Sequence, residues 1–298
     1  MIFDTHAHVL SADMDRYPHS PLRGGAKPPV PALVFPAERL LEEMEQAGVA
    51  RACLVQRATL YGYDNAYMLD TAAAHPECFA AIAVLDAEDP GSPEELSRLV
   101  QARGLAGLRI VAPRLSEHDT GWLDSPQALE LWAAAERLGL PIAVILYRRN
   151  NEAGRAALAR LARRFTGMPI ILDHGALPHP STPEMRFAAS EGIEYRIDPP
   201  PGFGIDEVIG SFADLPHIHL KVTDINFDRL EEAGFDTAAF VRALADRFGA
   251  ERLVWGSDVG QSPAPYAEKV ARLQHAAGLL SAEERTAFFG GNAERIYG

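Results

Sequence analysis

Eight short apolar runs recur along this chain, separated by longer amphipathic stretches, and no other feature limits its fold as tightly. The runs are Ile2–Thr5, Ala52–Gln56, Ala80–Leu85, Gly107–Val111, Ile142–Tyr147, Ile170–Asp173, Ile218–Val222 and Leu253–Gly256. Each is rich in β-branched or apolar residues and bounded by Gly, Pro or polar residues, the pattern of parallel strands buried on both faces. Helix candidates follow at Ala37–Ala47, Asp64–Ala74, Pro93–Arg103, Ser125–Leu138, Asn151–Arg164, Ile205–Phe212, Thr237–Phe248 and Pro263–Ala277. Gly48, Gly104 and Gly139 stand where helices stop, and Ser92-Pro93 and Ser125-Pro126 set a capping hydroxyl before a first-turn proline. Eight strand-then-helix units predict an α/β fold, a (β/α)8 barrel of TIM type, with residues 1–298 as a single domain. The alternative is a doubly wound open sheet. It usually brings a Gly-rich phosphate loop after the first strand, and here that place holds His6-Ala7-His8.

Two segments fall outside the alternation. Leu10–Pro36 carries six prolines and is too long for an idle connection, so it is predicted to form a lid over the barrel mouth. Ser281–Gly298 is predicted to form closing helices that pack outside the barrel. A second Pro-rich loop, Leu177–Pro183, follows the sixth run.

Composition excludes whole classes of partner. A formal charge of −13 argues against nucleic acid or an anionic membrane surface. Of the 28 basic residues all but Lys27, Lys221 and Lys269 are arginine, which stays charged when buried and grips carboxylates in a fork. Two cysteines, Cys53 and Cys78, make neither a disulfide framework nor a thiolate metal site, and Cys53 lies in an apolar run as a buried thiol would. No apolar run approaches the ~20 residues that span a bilayer. A soluble, cytoplasmic protein is expected.

In a barrel of this kind, side chains at the C-terminal ends of the strands face the active site. Those ends hold His6 and His8, Arg109 with Arg114 just beyond, Tyr147-Arg148-Arg149, Asp173-His174, and Ser257-Asp258. Polar residues so concentrated are costly to bury without partners or a task. His-x-His on a strand end puts both imidazoles on one face, able to reach one metal ion or one substrate group. Arg57, after the second run, is a further candidate, and Tyr61 and Tyr63 are candidates to line the mouth. Lys221 is expected to pair with Asp258 or Asp173. His19, His118, His217, His219 and His275 are expected at the surface or in loops; His179 follows the sixth strand.

This constellation resembles the amidohydrolase superfamily, in its "amidohydrolase 2" branch. The likeness runs from Asp4-Thr5-His6-Ala7-His8 through Gly107-Leu108-Arg109 and Leu172-Asp173-His174-Gly175 to Trp255-Gly256-Ser257-Asp258 and Gly291-Asn292-Ala293. It implies a distorted TIM barrel that hydrolyses C–O or C–N bonds. Metal-dependent members generally add a strand-five histidine, and Ile142–Tyr147 has none. Arg109, on strand four, would oppose a cation rather than bridge two. The pattern therefore looks like the metal-independent lactonases of the branch, the 2-pyrone-4,6-dicarboxylate hydrolases among them, although Leu177 stands where an arginine is usual.

The resulting expectation is a hydrolase that opens a small, carboxylate-bearing lactone without metal. Asp258 would be the general base, His6, His8 and His174 would polarise the carbonyl, and Arg109, Arg114, Tyr147, Arg148 and Arg57 would bind substrate. Three alternatives stay open. One is a mononuclear Zn2+ or Mn2+ enzyme using His6, His8, His174 and Asp258. The others are a lactone isomerase or decarboxylase of the same superfamily, and a non-catalytic carboxylate-binding barrel. The partner is a small acidic lactone, and an oligomer is possible.

Overall fold

A computed structural model describes residues 1–22, 34–113, 119–146, 151–176, 199–262 and 264–298, with Asn151 and Ala176 described by their backbones alone. Its strands are β1 (Ile2–Ala7), β2 (Val49–Val55), β3 (Phe79–Val84), β4 (Gly107–Ile110), β5 (Ile142–Val144), β6 (Ile170–Leu172), β7 (Ile218–Thr223) and β8 (Leu253–Gly256). They lie parallel, and their order in the sheet is their order in the chain. β1 and β8 close the circle beyond their paired lengths. Thr5 Oγ1 donates to Trp255 O at 2.7 Å, Asp258 N to His6 O at 2.8 Å, and His8 N to Val259 O at 2.9 Å. The closure therefore runs through the candidate catalytic segments themselves.

Helices Ala37–Ala47, Asn151–Arg164 and Thr237–Phe248 have the predicted bounds. Ser125 caps Pro126–Arg137 by accepting from Ala128 N at 3.1 Å. Ser92 departs from expectation: it is the first residue of its helix, and its hydroxyl donates to Asp86 O at 2.6 Å instead of capping. The helix Asp224–Glu232 was not foreseen. It starts on a capping box in which Thr223 N donates to Asn226 Oδ1 at 2.9 Å.

The barrel interior is a packed core. Phe3, Cys53, Val55, Ile82, Ala143, Ile171 and Val254 form one cluster with Ala293 and Tyr297. This corrects the expectation for the tail. The last helix, Asn292–Tyr297, packs Ala293 and Tyr297 into that interior cluster and closes the barrel floor. Between strands and helices lies a second, larger core, in which Trp132 stacks on Phe165 at 5.8 Å. Burial pushes the Cys53 thiol up, out of reach of ionisation.

Both stems of the predicted lid sit on the C-terminal rim. Leu10 and Phe35 exchange backbone hydrogen bonds of 2.8 and 3.0 Å, and Ser20 and Leu22 donate to Leu60 O and Ala58 O behind β2. Residues 23–33, which would form its cover, lie outside the described residues, as does the whole of the second Pro-rich loop. Of the histidines expected at the surface or in loops, His19 lies in a loop but is buried there, and His219 is buried in a strand. His19 meets Tyr61 edge-on at 5.4 Å, and His219 occupies β7. No described helix is long and apolar enough to cross a membrane.

Candidate active site

His6, His8, His174 and Asp258 come together at the C-terminal ends of β1, β6 and β8, all buried. Nε2 of His6 lies 3.5 Å and Nε2 of His8 lies 3.4 Å from the same oxygen, Oδ1 of Asp258. The His6 ring centroid is 5.0 Å from that of His8 and 5.3 Å from that of His174. Strand periodicity puts His6 and His8 on one face. The close approach of β8 depends on Gly256, where a Cβ would stand 2.5 Å from the Cβ of His6.

Asp4 holds this seam. Its carboxylate accepts from His6 N and Ser257 N, both at 2.9 Å, from Tyr266 OH at 2.6 Å, and from Ser257 Oγ. Burial and the Asp4 charge together push the Tyr266 phenol far above its usual range, so it stays a donor. Two of the converging residues have left-handed backbones, His174 at φ 53° and Asp258 at φ 54°. An L-residue in that region costs about 1–2 kcal/mol, and it persists where neighbouring groups over-determine it. Gln261 N and Ser262 N donate to Asp258 O at 3.2 and 3.0 Å, while Asn226 Nδ2 donates to His174 O at 3.0 Å.

A second layer supplies charge. Asp173 lies between two cations: Lys221 Nζ is 2.9 Å from Oδ1 and Arg109 Nε is 2.7 Å from Oδ2. Of the two partners proposed for Lys221, the structure selects Asp173. Burial opposes ionisation of Asp173, but Lys221 and Arg109 hold its carboxyl well below the usual carboxylate range. Burial, aided by Lys221, pushes His6 down to about 3, so its imidazole is neutral. Burial likewise opposes charge on Asp258, and the neighbouring His8, His6 and His174 outweigh it and hold the carboxyl low.

Hydrogen bonds on the far side of each ring set its tautomer. His8 Nδ1 faces Val55 O at 2.7 Å and must donate to it, leaving Nε2 as a bare acceptor aimed at Asp258. Lys221 Nζ faces His6 Nδ1 at 3.3 Å, which puts the proton of neutral His6 on Nε2. His174 Nδ1 meets Thr223 Oγ1 at 2.8 Å, and that hydroxyl donates onward to Asn226 Oδ1 at 3.2 Å. Neutral His174 therefore carries its proton on Nδ1.

Neither oxygen of Asp258 has a hydrogen-bond donor, and neither does His6 Nε2 have a partner. A buried carboxylate facing a bare imidazole nitrogen needs one positive charge between them. His6, His8 and Asp258 offer ligand atoms within 4.8 Å of one another, and among the described residues they alone form such a group. Two nitrogens and a carboxylate oxygen suit a divalent zinc or manganese ion, so the residues fit such a cation. His174 stands outside that group.

The other candidates divide. Arg109 is buried and uses Nε on Asp173, so it is a partner of that carboxylate and does not stand in the cation position the sequence suggested. Arg57 reaches the site: its Nη1 donates to Gly260 O at 2.9 Å, two residues past Asp258, and its Nε is buried without a partner. Burial lowers its pKa, against the field of Asp258. Tyr61 is buried and accepts from Ser11 N at 2.9 Å, which binds it to the lid stem. Arg114, Tyr147, Arg148, Arg149 and His179 lie outside the described residues. Sequence reasoning missed Asp4 as a clamp and Thr223 with Asn226 as the support of His174. The signals were present as Asp-x-His and Thr-x-x-Asn.

Comparison with known proteins agrees with this architecture. The model of the family described as amidohydrolase matches residues 3–298. A curated L-fucono-1,5-lactonase from Burkholderia ambifaria is 25% identical over 265 residues, covering 85% of this chain and 82% of that protein. A probable 2-pyrone-4,6-dicarboxylic acid hydrolase from Acinetobacter baumannii, crystallised with citric acid, superposes with a TM-score of 0.71 at 17% identity, covering 99% of this chain and 98% of that one. An amidohydrolase from Burkholderia multivorans with bound zinc does so at 0.69 and 21% identity, covering 100% and 99%. At these identities the two structures speak for the fold alone. The family match, spanning nearly every residue and both strand-end motifs, places this chain in the amidohydrolase family.

Proposed function

We propose that this protein is a hydrolase of ester bonds that opens a small, carboxylate-bearing lactone. The observation that carries the reading is the buried Asp258 carboxylate, without a hydrogen-bond donor, facing the Nε2 atoms of His6 and His8 at the barrel mouth. Likeness to the L-fucono-1,5-lactonase supports a cyclic ester as the bond attacked.

The residues divide the work by tautomer. Asp258 takes a proton from the attacking water as its oxygen bonds to the carbonyl carbon. His6 presents an N–H toward the developing oxyanion, and such a donor is worth roughly 10²–10³ in rate where measured elsewhere. His174, fixed through Nδ1 by Thr223, stands beside His6 at the same strand ends and polarises the carbonyl when protonated. His8, its Nδ1 held by Val55 O, sets Nε2 3.4 Å from Asp258 Oδ1. The ring C–O bond then breaks, and the freed alkoxide takes the proton held on Asp258, giving a hydroxy acid and restoring the carboxylate. Arg57, with its unpartnered Nε, and Arg109 lie where a substrate carboxylate is to be gripped.

The orphaned oxygens favour a second reading, in which His6, His8 and Asp258 hold a zinc or manganese ion. Bound there, such an ion would supply Lewis acidity toward the carbonyl. His6 would then have to move its proton to Nδ1, against the Lys221 ammonium.

The test is hydrolysis of a panel of lactones, including L-fucono-1,5-lactone and 2-pyrone-4,6-dicarboxylate, by protein of known metal content before and after chelation. Turnover that survives chelation supports the metal-free mechanism. Turnover lost on chelation and restored by zinc or manganese establishes the second. No turnover of any lactone refutes the function proposed.

A further inference from the structure

The sequence has only three lysines, and Lys221 and Lys269 are both wholly buried. Lys221 belongs to the site. Lys269 lies on the outer helix Tyr266–Ala276, beyond the barrel wall. Its Nζ is 3.0 Å from Asp224 Oδ2 and donates to Ser262 Oγ. Each of those partners leads to one of the two left-handed residues in the site.

On one side, Ser262 N and Oγ donate to Asp258 O at 3.0 and 3.2 Å. Lys269 Nζ donates a hydrogen bond to the serine oxygen, which leaves the serine hydroxyl hydrogen for the Asp258 carbonyl. On the other side, Asp224 opens the helix Asp224–Glu232, whose cap Thr223 meets His174 Nδ1 at 2.8 Å. From the same turn, Asn226 Nδ2 donates to His174 O at 3.0 Å. Besides Phe203, His174 and Asp258 are the non-glycine residues with positive φ among those described. One ammonium thus ties together the supports of both. A lysine suits the place, since its apolar stem crosses the packed layer and its head has several donors to give. Arg272 also binds Asp224, at 2.7 Å, and carries Asp228 and Glu231 as well, but among the described residues none of its ion pairs reaches the Asp258 turn.

We propose that Lys269 is a positioning residue: through Ser262 and Asp224 it locks the left-handed turns of Asp258 and His174 relative to each other. Its kinetic test rests on the lactonase reading, and its structural test does not.

The variants are Lys269→Met, Ser262→Ala and the double variant Lys269→Met/Asp224→Asn. The double variant removes both members of the buried ion pair, so no lone charge is left to unfold the protein. Steady-state kinetics on the lactone turned over best in the panel are compared with thermal midpoints and with crystal structures of the variants. A misplacement near 1 Å can cost about 10²-fold in rate. The expected kcat loss is therefore about 30- to 100-fold in the double variant and about 10-fold in Ser262→Ala, with KM changed less than about threefold. The thermal midpoint of the double variant should recover toward wild type while kcat does not, and Asp258 or His174 should leave the left-handed region. A purely structural lysine would give back kcat along with stability. Wild-type kcat in the double variant or in Ser262→Ala overturns the proposal. Should the wild-type protein hydrolyse no lactone, the lactonase reading fails and the crystal structures decide alone. Asp258 and His174 unmoved in both Ser262→Ala and the double variant would then overturn the tie, and displacement of either would support it.

Discussion

His219 shares the inward face of β7 with Lys221 and Thr223, one layer closer to the barrel floor. It is 8% exposed, and its Nδ1 has no hydrogen-bond partner. Burial, and then the charges of Arg252 and Arg295, lower its pKa from 6.5 to about 4. Between those two values the unfolded chain binds a proton that the folded chain refuses, so stability falls as the pH falls. The contribution is complete above the unfolded pKa and drains away as the pH drops toward the folded one. Integrating one such group from about pH 7 to about pH 4.5 gives a loss of roughly 2 kcal/mol. His219→Leu removes the titration at similar volume and leaves no polar atom without a partner. Urea unfolding of both proteins at the two pH values measures the effect, and groups that titrate in both, such as His6 and His217, cancel in the difference. The wild type should lose about 2 kcal/mol more than the variant. Equal losses would show that His219 is hydrated or paired in solution, and the account of the floor would be wrong.

Asp258→Asn keeps shape and the tolerance for a left-handed backbone but removes the base, so turnover should fall more than about 10³-fold while product binding by calorimetry survives. Retained turnover would exclude Asp258 as the base. Arg109→Met leaves Asp173 held by Lys221 alone, which should lower stability by up to about 3 kcal/mol. If Arg109 also grips a substrate carboxylate, KM should rise about tenfold with little change in kcat, the pattern of uniform binding loss. An unchanged KM on an acidic lactone would confine it to supporting Asp173. Tyr297→Ala opens a cavity in the barrel floor and should destabilise by about 3–5 kcal/mol, read as a lower urea midpoint. A loss below about 1 kcal/mol would mean that the last helix does not close the interior.

The alternation of apolar runs determined the barrel, because parallel strands buried on both faces leave an unbroken apolar stretch that any reader of the sequence can see. The same holds for the helices with strong local signals, such as Ser125-Pro126 at a start and Gly48 at an end. The spacing of His6 and His8 and the strand-end places of His174 and Asp258 followed from strand order. What those residues do to each other did not. Lys221 meets Asp173 and His6 because β1, β6 and β7 bring residues 48 to 215 positions apart into contact, and no local pattern records such a contact. The tautomers likewise depend on single oxygens, Val55 O for His8 and Thr223 Oγ1 for His174, delivered by other strands. The tail was misjudged for the same reason. Tyr297 and Ala293 look like one face of an ordinary surface helix, and only the inward residues of distant strands, Phe3, Ile82 and Val254 among them, give that face a cluster to close. Local propensity and periodicity chose the elements; long-range packing decided which charges meet, and hence what the site can do.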